Sequence, residues 1–217
     1  MTNIEAIIFI EWSLFNKVQG EDGRASCQDD YGTFEIMRKS QFLCWDTATL
    51  DSYLNDLQIA RRDGRNLIQE KYARMMVSTA PEQYASFAHT LPVLSCAQRM
   101  TIEGIVAQQL VWRDVFAVKY PRLSSLSRLI RSEEDRPHET SFETYLCGEL
   151  GTYSAETLQC YAKMIDHYVI AGKNITMAAM GQTALLYGYR DLAAAEEKLP
   201  GAQEPARDDL ARLRVSH

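Results

Sequence analysis

The stretch Arg24-Ala25-Ser26-Cys27-Gln28-Asp29-Asp30 sets a guanidinium, a thiol, an amide and two adjacent carboxylates side by side. It lies between two apolar-periodic segments, and a plain connection needs none of that chemistry. Loops held between rigid elements are where binding and catalytic groups collect. Cys27 offers a nucleophile, but no His lies near it in sequence, so a base would have to come from elsewhere in the fold. Its competing role is that of a small buried residue, the usual habit of an unpaired Cys. Asp29 and Asp30 suit a metal ion or a substrate ammonium group. Either also suits the N-cap of the helix that follows.

A second set of polar residues occupies positions where helical spacing calls for apolar ones. Glu11 lies four residues after Ile7, three after Ile8 and four before Phe15, inside the stripe of the first helix. Glu149 falls seven, four and three residues beyond Phe142, Tyr145 and Leu146. Arg38 and Gln41 share the side of Phe34, Met37, Phe42 and Trp45. Lys71 sits between Leu67, Ile68 and Met75, and Gln109 between Ile105, Val106 and Trp112. Buried charges without partners are strongly destabilising, so these groups must pair or surround a wet polar pocket.

The pocket reading assigns roles. Glu11 and Glu149, with raised pKa values, move protons as general base and acid, and Cys27 joins them as the candidate nucleophile. Arg38 or Arg24 holds a carboxylate through the guanidinium fork. Asp29 or Asp30 holds an ammonium group or a metal ion. Gln41, Lys71 and Tyr145 complete the substrate-binding set. This describes an enzyme acting on a small, amino-acid-like substrate by elimination, isomerisation or hydrolysis. The alternative is a non-catalytic helical module for a small molecule or a partner protein, its polar interior being an internal ion-pair network.

The elements that must position these groups are helical almost throughout. Stripes at three- and four-residue steps run through Ile4–Val18, Phe34–Trp45, Tyr53–Leu57, Leu67–Met76, Ile102–Phe116 and Leu158–Val169. Thr47 and Asn174 stand where N-caps belong, and Thr140-x-x-Glu143 reads as a capping box. The long Ile102–Phe116 helix stops before Pro121. A small-residue helix carries Met177, Met180 and Ala184, and a last short one covers Leu192–Leu199. Alternating strand patterns are almost absent. The expectation is an all-α, single-domain bundle of about seven to nine helices over residues 1–199, with a frayed tail over 200–217.

Composition narrows the classes further. The net charge of -6 and pI near 5.3 give no basic stripe for nucleic acid. The Arg122–Arg131 run is followed by Glu133, Glu134 and Asp135 and reads as a solvated connector. No signal peptide or membrane span is evident, so a cytoplasmic protein is expected. Five widely spaced cysteines argue against a disulfide framework, and no CxxC or paired His suggests zinc. No glycine-rich nucleotide motif appears, so no nucleotide cofactor is indicated; a carboxylate-bound Mg²⁺ or iron stays open.

The segments "EWSLF", "GRASCQDDYGTFEIMRKSQF", "GRNLIQEKYARMM" and "TSFETYLCGELGTYSAETL" resemble a bacterial family, domain of unknown function 4125. The resemblance runs from about Ile8 to Tyr189. It implies a bacterial source and a single helical domain, and carries over no catalytic assignment. Two features depart from the family pattern: Glu21-Asp22-Gly23 stands where two glycines usually precede the Arg-Ala pair, and Gly181-Gln182-Thr183 is atypical.

Overall fold

Reciprocal hydrogen bonds between Thr2 and Glu5 start the first helix, α1 (Asn3–Phe15), as a capping box. The same local chemistry starts most of the others. Asp30 caps α2 (Tyr31–Phe42), Asp46 caps α3 (Thr47–Arg62) and Asn66 caps α4 (Leu67–Thr79). Ser95 caps α6 (Cys96–Lys119), and Ser141 caps α8 (Phe142–Leu150). Ser154, Asn174 and Asp191 cap α9 (Ala155–Ile170), α10 (Ile175–Leu186) and α11 (Leu192–Lys198). Two short helices, α5 (Pro81–Phe87) and α7 (Pro121–Ser125), begin on proline instead. Proline at the first helical position forfeits only an N–H that has no partner anyway.

The computed structural model describes residues 1–18, 23–137 and 139–199. Among the described residues 74% are helical, in 11 α-helices and short 3-10 turns, with no strand, so the all-α expectation holds. The helix count exceeds the expected range because α5 and α7 were hidden: Pro121, read as a stop, is also the start of α7. Two caps also differ. Asp46, not Thr47, caps α3. Ser141, not Thr140, caps α8, and Glu143 accepts a hydrogen bond from Ser132 N (2.8 Å) instead of closing a capping box. The expected tail over 200–217 lies outside the described residues. No helix among the described residues is long and apolar enough to cross a membrane.

A main core joins α1, α2, α3, α4, α6, α8 and α9 around Ile7, Phe42, Leu57, Leu150 and Leu158. A smaller cluster of Phe116, Leu123, Ala184, Ala195 and Leu199 lies under α7 and α11. Helix α2 packs against α10, α3 against α1 and α9, and α4 against α8. The α4–α8 approach depends on Gly148. A Cβ there would stand 2.8 Å from Met75 Cγ and 3.0 Å from the Lys71 carbonyl oxygen. The missing side chain lets α8 press onto α4, which places Glu149 within reach of Lys71.

Candidate functional site

The Arg24–Asp30 stretch closes the end of α1. Gln28 is buried; its side-chain amide donates to Phe15 O (2.6 Å) and Val18 O (2.9 Å) and accepts from Ala25 N (2.8 Å). Those carbonyls belong to the last turn of a helix and the exit beyond it, where intrahelical donors have run out. Arg24 donates to Asn16 Oδ1 (2.8 Å) and Gln28 O (2.6 Å) and pairs with exposed Asp29 at 2.9 Å. Asp30 Oδ1 accepts from Thr33 N (2.9 Å) as the cap of α2. Cys27 packs half-buried against the main core and forms no disulfide. None of Arg24, Cys27, Asp29 and Asp30 lines the cavity described below. The chemistry of this loop is that of a structural clasp.

The inward-facing polar residues do meet. Glu11 is fully buried, and Arg38 donates to both its carboxylate oxygens, Nε to Oε2 at 2.7 Å and Nη2 to Oε1 at 2.6 Å. The Tyr53 hydroxyl donates to the same carboxylate at 2.7 Å. On its other side Arg38 reaches Glu149 (3.2 and 3.4 Å) and Gln41 Oε1 (2.8 Å). Glu149 also accepts from Lys71 Nζ (2.7 Å), the Tyr153 hydroxyl (2.9 Å) and Gln41 Nε2 (3.2 Å). Lys71 Nζ lies 3.5 Å from the centre of the Tyr145 ring. Two carboxylates face two cations, so the network is neutral as well as hydrogen-bonded.

This pairing corrects two expectations. Burial pushes the Glu149 carboxyl up, but Arg38 and Lys71 outweigh it and hold the group well below the usual carboxylate range, the opposite of a raised general acid. Arg38 was expected to clamp a ligand carboxylate. Its Nε, Nη1 and Nη2 all donate to side chains of the protein itself, which leaves the fork closed. Burial lowers its pKa, yet Glu11 and Glu149 raise it well above the ordinary arginine value.

Beside the network lies a cavity of about 230 Å³ between α2, α6, α8, α9 and α10, covered by the α7 region. Among the expected residues Arg38, Gln41, Tyr145 and Glu149 line it, as does Gln109, whose Nε2 donates to the Tyr161 hydroxyl (3.1 Å). Glu11 and Lys71 stand behind this surface, each touching it only through a partner. Most of the remaining wall is apolar, from Met37, Leu123, Leu126, Phe142 and Ile175 among others. The Arg122–Arg131 run is not simply a solvated connector. Leu123 is buried, and Arg128 lines the cavity with its guanidinium 4.5 Å from the centre of the Tyr145 ring.

Arg113 lines the same cavity and escaped the sequence reading. It is 7% exposed, as Arg38 is. No hydrogen bond or ion pair engages its guanidinium among the described residues; it lies 4.8 Å from the Phe142 ring centre and 5.9 Å from that of Phe116. Burial alone draws its pKa down to about 10. A signal was present: Arg113 stands four residues after Gln109 and three before Phe116, on the stripe that already identified Gln109. Trp45 is a further lining residue, and its buried indole N–H has no acceptor. The roles of Tyr53 and Tyr153 as donors to Glu11 and Glu149 had no local signal at all.

Among the described residues no group of three or more His, Cys, Asp or Glu side chains converges as a metal site. No curated protein and no solved structure gives a significant match to the chain. The model of the family described as "Protein of unknown function (DUF4125)" matches residues 1–197, and the chain belongs to that family.

Proposed function

We propose that the protein binds a small organic molecule in the cavity between α2, α6, α8, α9 and α10. One observation carries the reading: a partly open cavity of about 230 Å³, mostly apolar, with unpartnered donors on its wall. Small-molecule sites have this character, an apolar lining with a few polar groups that fix orientation. The Glu11–Arg38–Glu149–Lys71 network forms one side of the site and holds α1, α2, α4 and α8 in register around it. Proton transfer by Glu11 and Glu149 has less support. Glu11 is sealed behind Arg38, and Glu149 is kept ionised by two cations. Binding, with any chemistry supplied by the ligand's own reactivity or by a partner, fits the geometry better than acid–base catalysis by these carboxylates. Five cysteines without a disulfide suit a cytoplasmic setting.

Blocking the space tests this. Ala179 lies on α10 at the cavity wall. Ala179→Phe should keep the helical far-ultraviolet spectrum and abolish the thermal stabilisation that small molecules give the parent. If no small organic molecule raises the melting temperature of the parent and Ala179→Phe melts higher than the parent, the space is a packing void.

A further inference from the structure

We infer that Arg113 anchors the carboxylate of the ligand, and that the rest of this ligand is apolar and carries no cation. The inference rests on the cavity reading above and adds the ligand's chemistry to it.

Arg113 presents an unusual combination of burial and isolation. A guanidinium largely withdrawn from solvent needs an acceptor for its N–H groups, and the Phe142 and Phe116 rings satisfy its charge only in part. The depressed pKa reflects the same lack of a counter-charge. A carboxylate matches the fork with two parallel hydrogen bonds. It would supply the missing acceptors and the missing charge at once.

The charges bordering the cavity add up to the same answer. Four lining residues are charged: Arg38, Glu149, Arg113 and Arg128. Arg38 and Glu149 belong to the neutral network with Glu11 and Lys71. That leaves Arg113 and Arg128, both positive. Arg128 donates to Thr140 O (3.0 Å) and lies over Tyr145, and no counter-ion pairs with it among the described residues. The space is electropositive and favours an anion.

A ligand ammonium group has nowhere to go. Glu149 Oε1 accepts from Arg38, Gln41 and Tyr153, and Oε2 accepts from Arg38 and Lys71. No lining carboxylate has a lone pair left for a ligand cation. This turns the site away from amino acids and toward simple carboxylic acids. The Trp45 indole N–H is a second unpartnered donor on the wall and suits a neutral acceptor elsewhere on the molecule. Size sets the last limit. An apolar cavity of ~150 Å³ admits benzene, so about 230 Å³ admits a modestly larger body.

Three acids of rising bulk, butanoate, 3-methylbutanoate and 3-phenylpropanoate, each paired with its amide, provide the test on the full chain. Phenylalanine joins them, since it differs from 3-phenylpropanoate only by the ammonium group. Calorimetry and tryptophan fluorescence read binding, and Trp45→Phe identifies the fluorescence that comes from the cavity. At least one acid should bind, with its amide weaker by about 10–100-fold, the worth of a charged hydrogen-bonding pair. Phenylalanine should bind more weakly than 3-phenylpropanoate. Arg113→Met should remove the preference for acid over amide while keeping the helical spectrum, and Arg113→Lys should keep part of it. If acid and amide bind the parent equally, the cavity reading stands and the carboxylate inference falls. Acid binding that survives Arg113→Met unchanged removes Arg113 as the anchor. If none of the acids binds, the inference fails; if the amides do not bind either and Ala179→Phe melts higher than the parent, the cavity reading fails with it. The acid–amide comparison on the parent decides the ligand's charge even if the Arg113 variants do not fold.

Discussion

Arg38 and Arg113 are the same side chain at the same depth, each 7% exposed, each on the wall of the cavity and each over a phenylalanine ring, and they differ in their hydrogen-bond acceptors and counter-charges. All three guanidinium nitrogens of Arg38 donate to Glu11, Glu149 and Gln41, and its pKa is raised well above the ordinary value because the two carboxylates outweigh burial. Arg113 has two aromatic rings beside it, no acceptor among the described residues, and a pKa lowered to about 10 by burial. Burial by itself therefore does not mark function. Arg38 sits where four helices need joining, and its charge is neutralised by the fold. Arg113 sits at a space, and its charge is left for something that enters.

The contrast breaks or holds on stability. Glu11→Gln should cost about 3–5 kcal/mol, because it leaves the buried network with one cation in excess, Arg38 and Lys71 sharing Glu149 alone, and weakens the Tyr53 bond. Arg113→Met should cost nothing or stabilise the ligand-free protein, since an unpaired buried charge is replaced by an apolar chain of similar length. Urea unfolding of the two variants gives both values. Equal losses would mean that Arg113 has a structural partner and that the comparison fails.

Glu149→Gln should cost about 3 kcal/mol, as Lys71 loses the carboxylate it pairs with while Arg38 keeps Glu11. It should also change the response to acid. The folded pKa of Glu149 lies below the ordinary 4.5, because Arg38 and Lys71 overcome the opposing effect of burial. On acidification the unfolded chain takes up this proton first. The stability that Glu149 confers is complete above about pH 4.5 and is lost as pH falls through the lower folded value. Denaturation midpoints measured from pH 6 downward should therefore fall less steeply in Glu149→Gln than in the parent. Parallel curves would show that the carboxylate is not held ionised by its partners.

Two smaller effects sharpen the comparison by testing how the network is positioned. Gly148→Ala should cost about 1–3 kcal/mol, the range for overpacking. Its Cβ meets the flexible Met75 side chain but also the Lys71 backbone, so α8 must move off α4. The acid response should flatten as the Lys71–Glu149 pair lengthens. Gln28→Ala should cost about 1–2 kcal/mol, from acceptors at the end of α1 left partly unsatisfied. It should leave ligand binding unchanged, because the Arg24–Asp30 clasp does not line the cavity. A loss of binding in that variant would return the loop to the functional site.

Much of the fold was legible residue by residue. The stripes through Ile7, Leu57, Leu158 and Ile165 are buried as their spacing implies. Asn174 caps α10, and Asp30 caps α2. Glu11, Arg38, Lys71, Gln109 and Glu149 are all buried despite their polarity. The Arg24–Asp30 loop kept two readings open in the sequence because a thiol, a guanidinium and two carboxylates serve a helix end as readily as a substrate. Helices α5 and α7 were missed because proline signals a stop and a start with the same residue.

The sequence by itself determined the helices and which of their faces turn inward. Periodicity and capping are local, acting over three or four residues along one chain segment. Only the tertiary structure decided which inward-facing charges are closed and which are open. Arg38 meets Glu11 across 27 positions and Glu149 across 111, and Lys71 meets Glu149 across 78. No local pattern encodes such distances. Arg113 occupies an apolar stripe just as Arg38 does. Its isolation depends on the way α2, α8 and α10 pack around it, leaving a space where a carboxylate could have been.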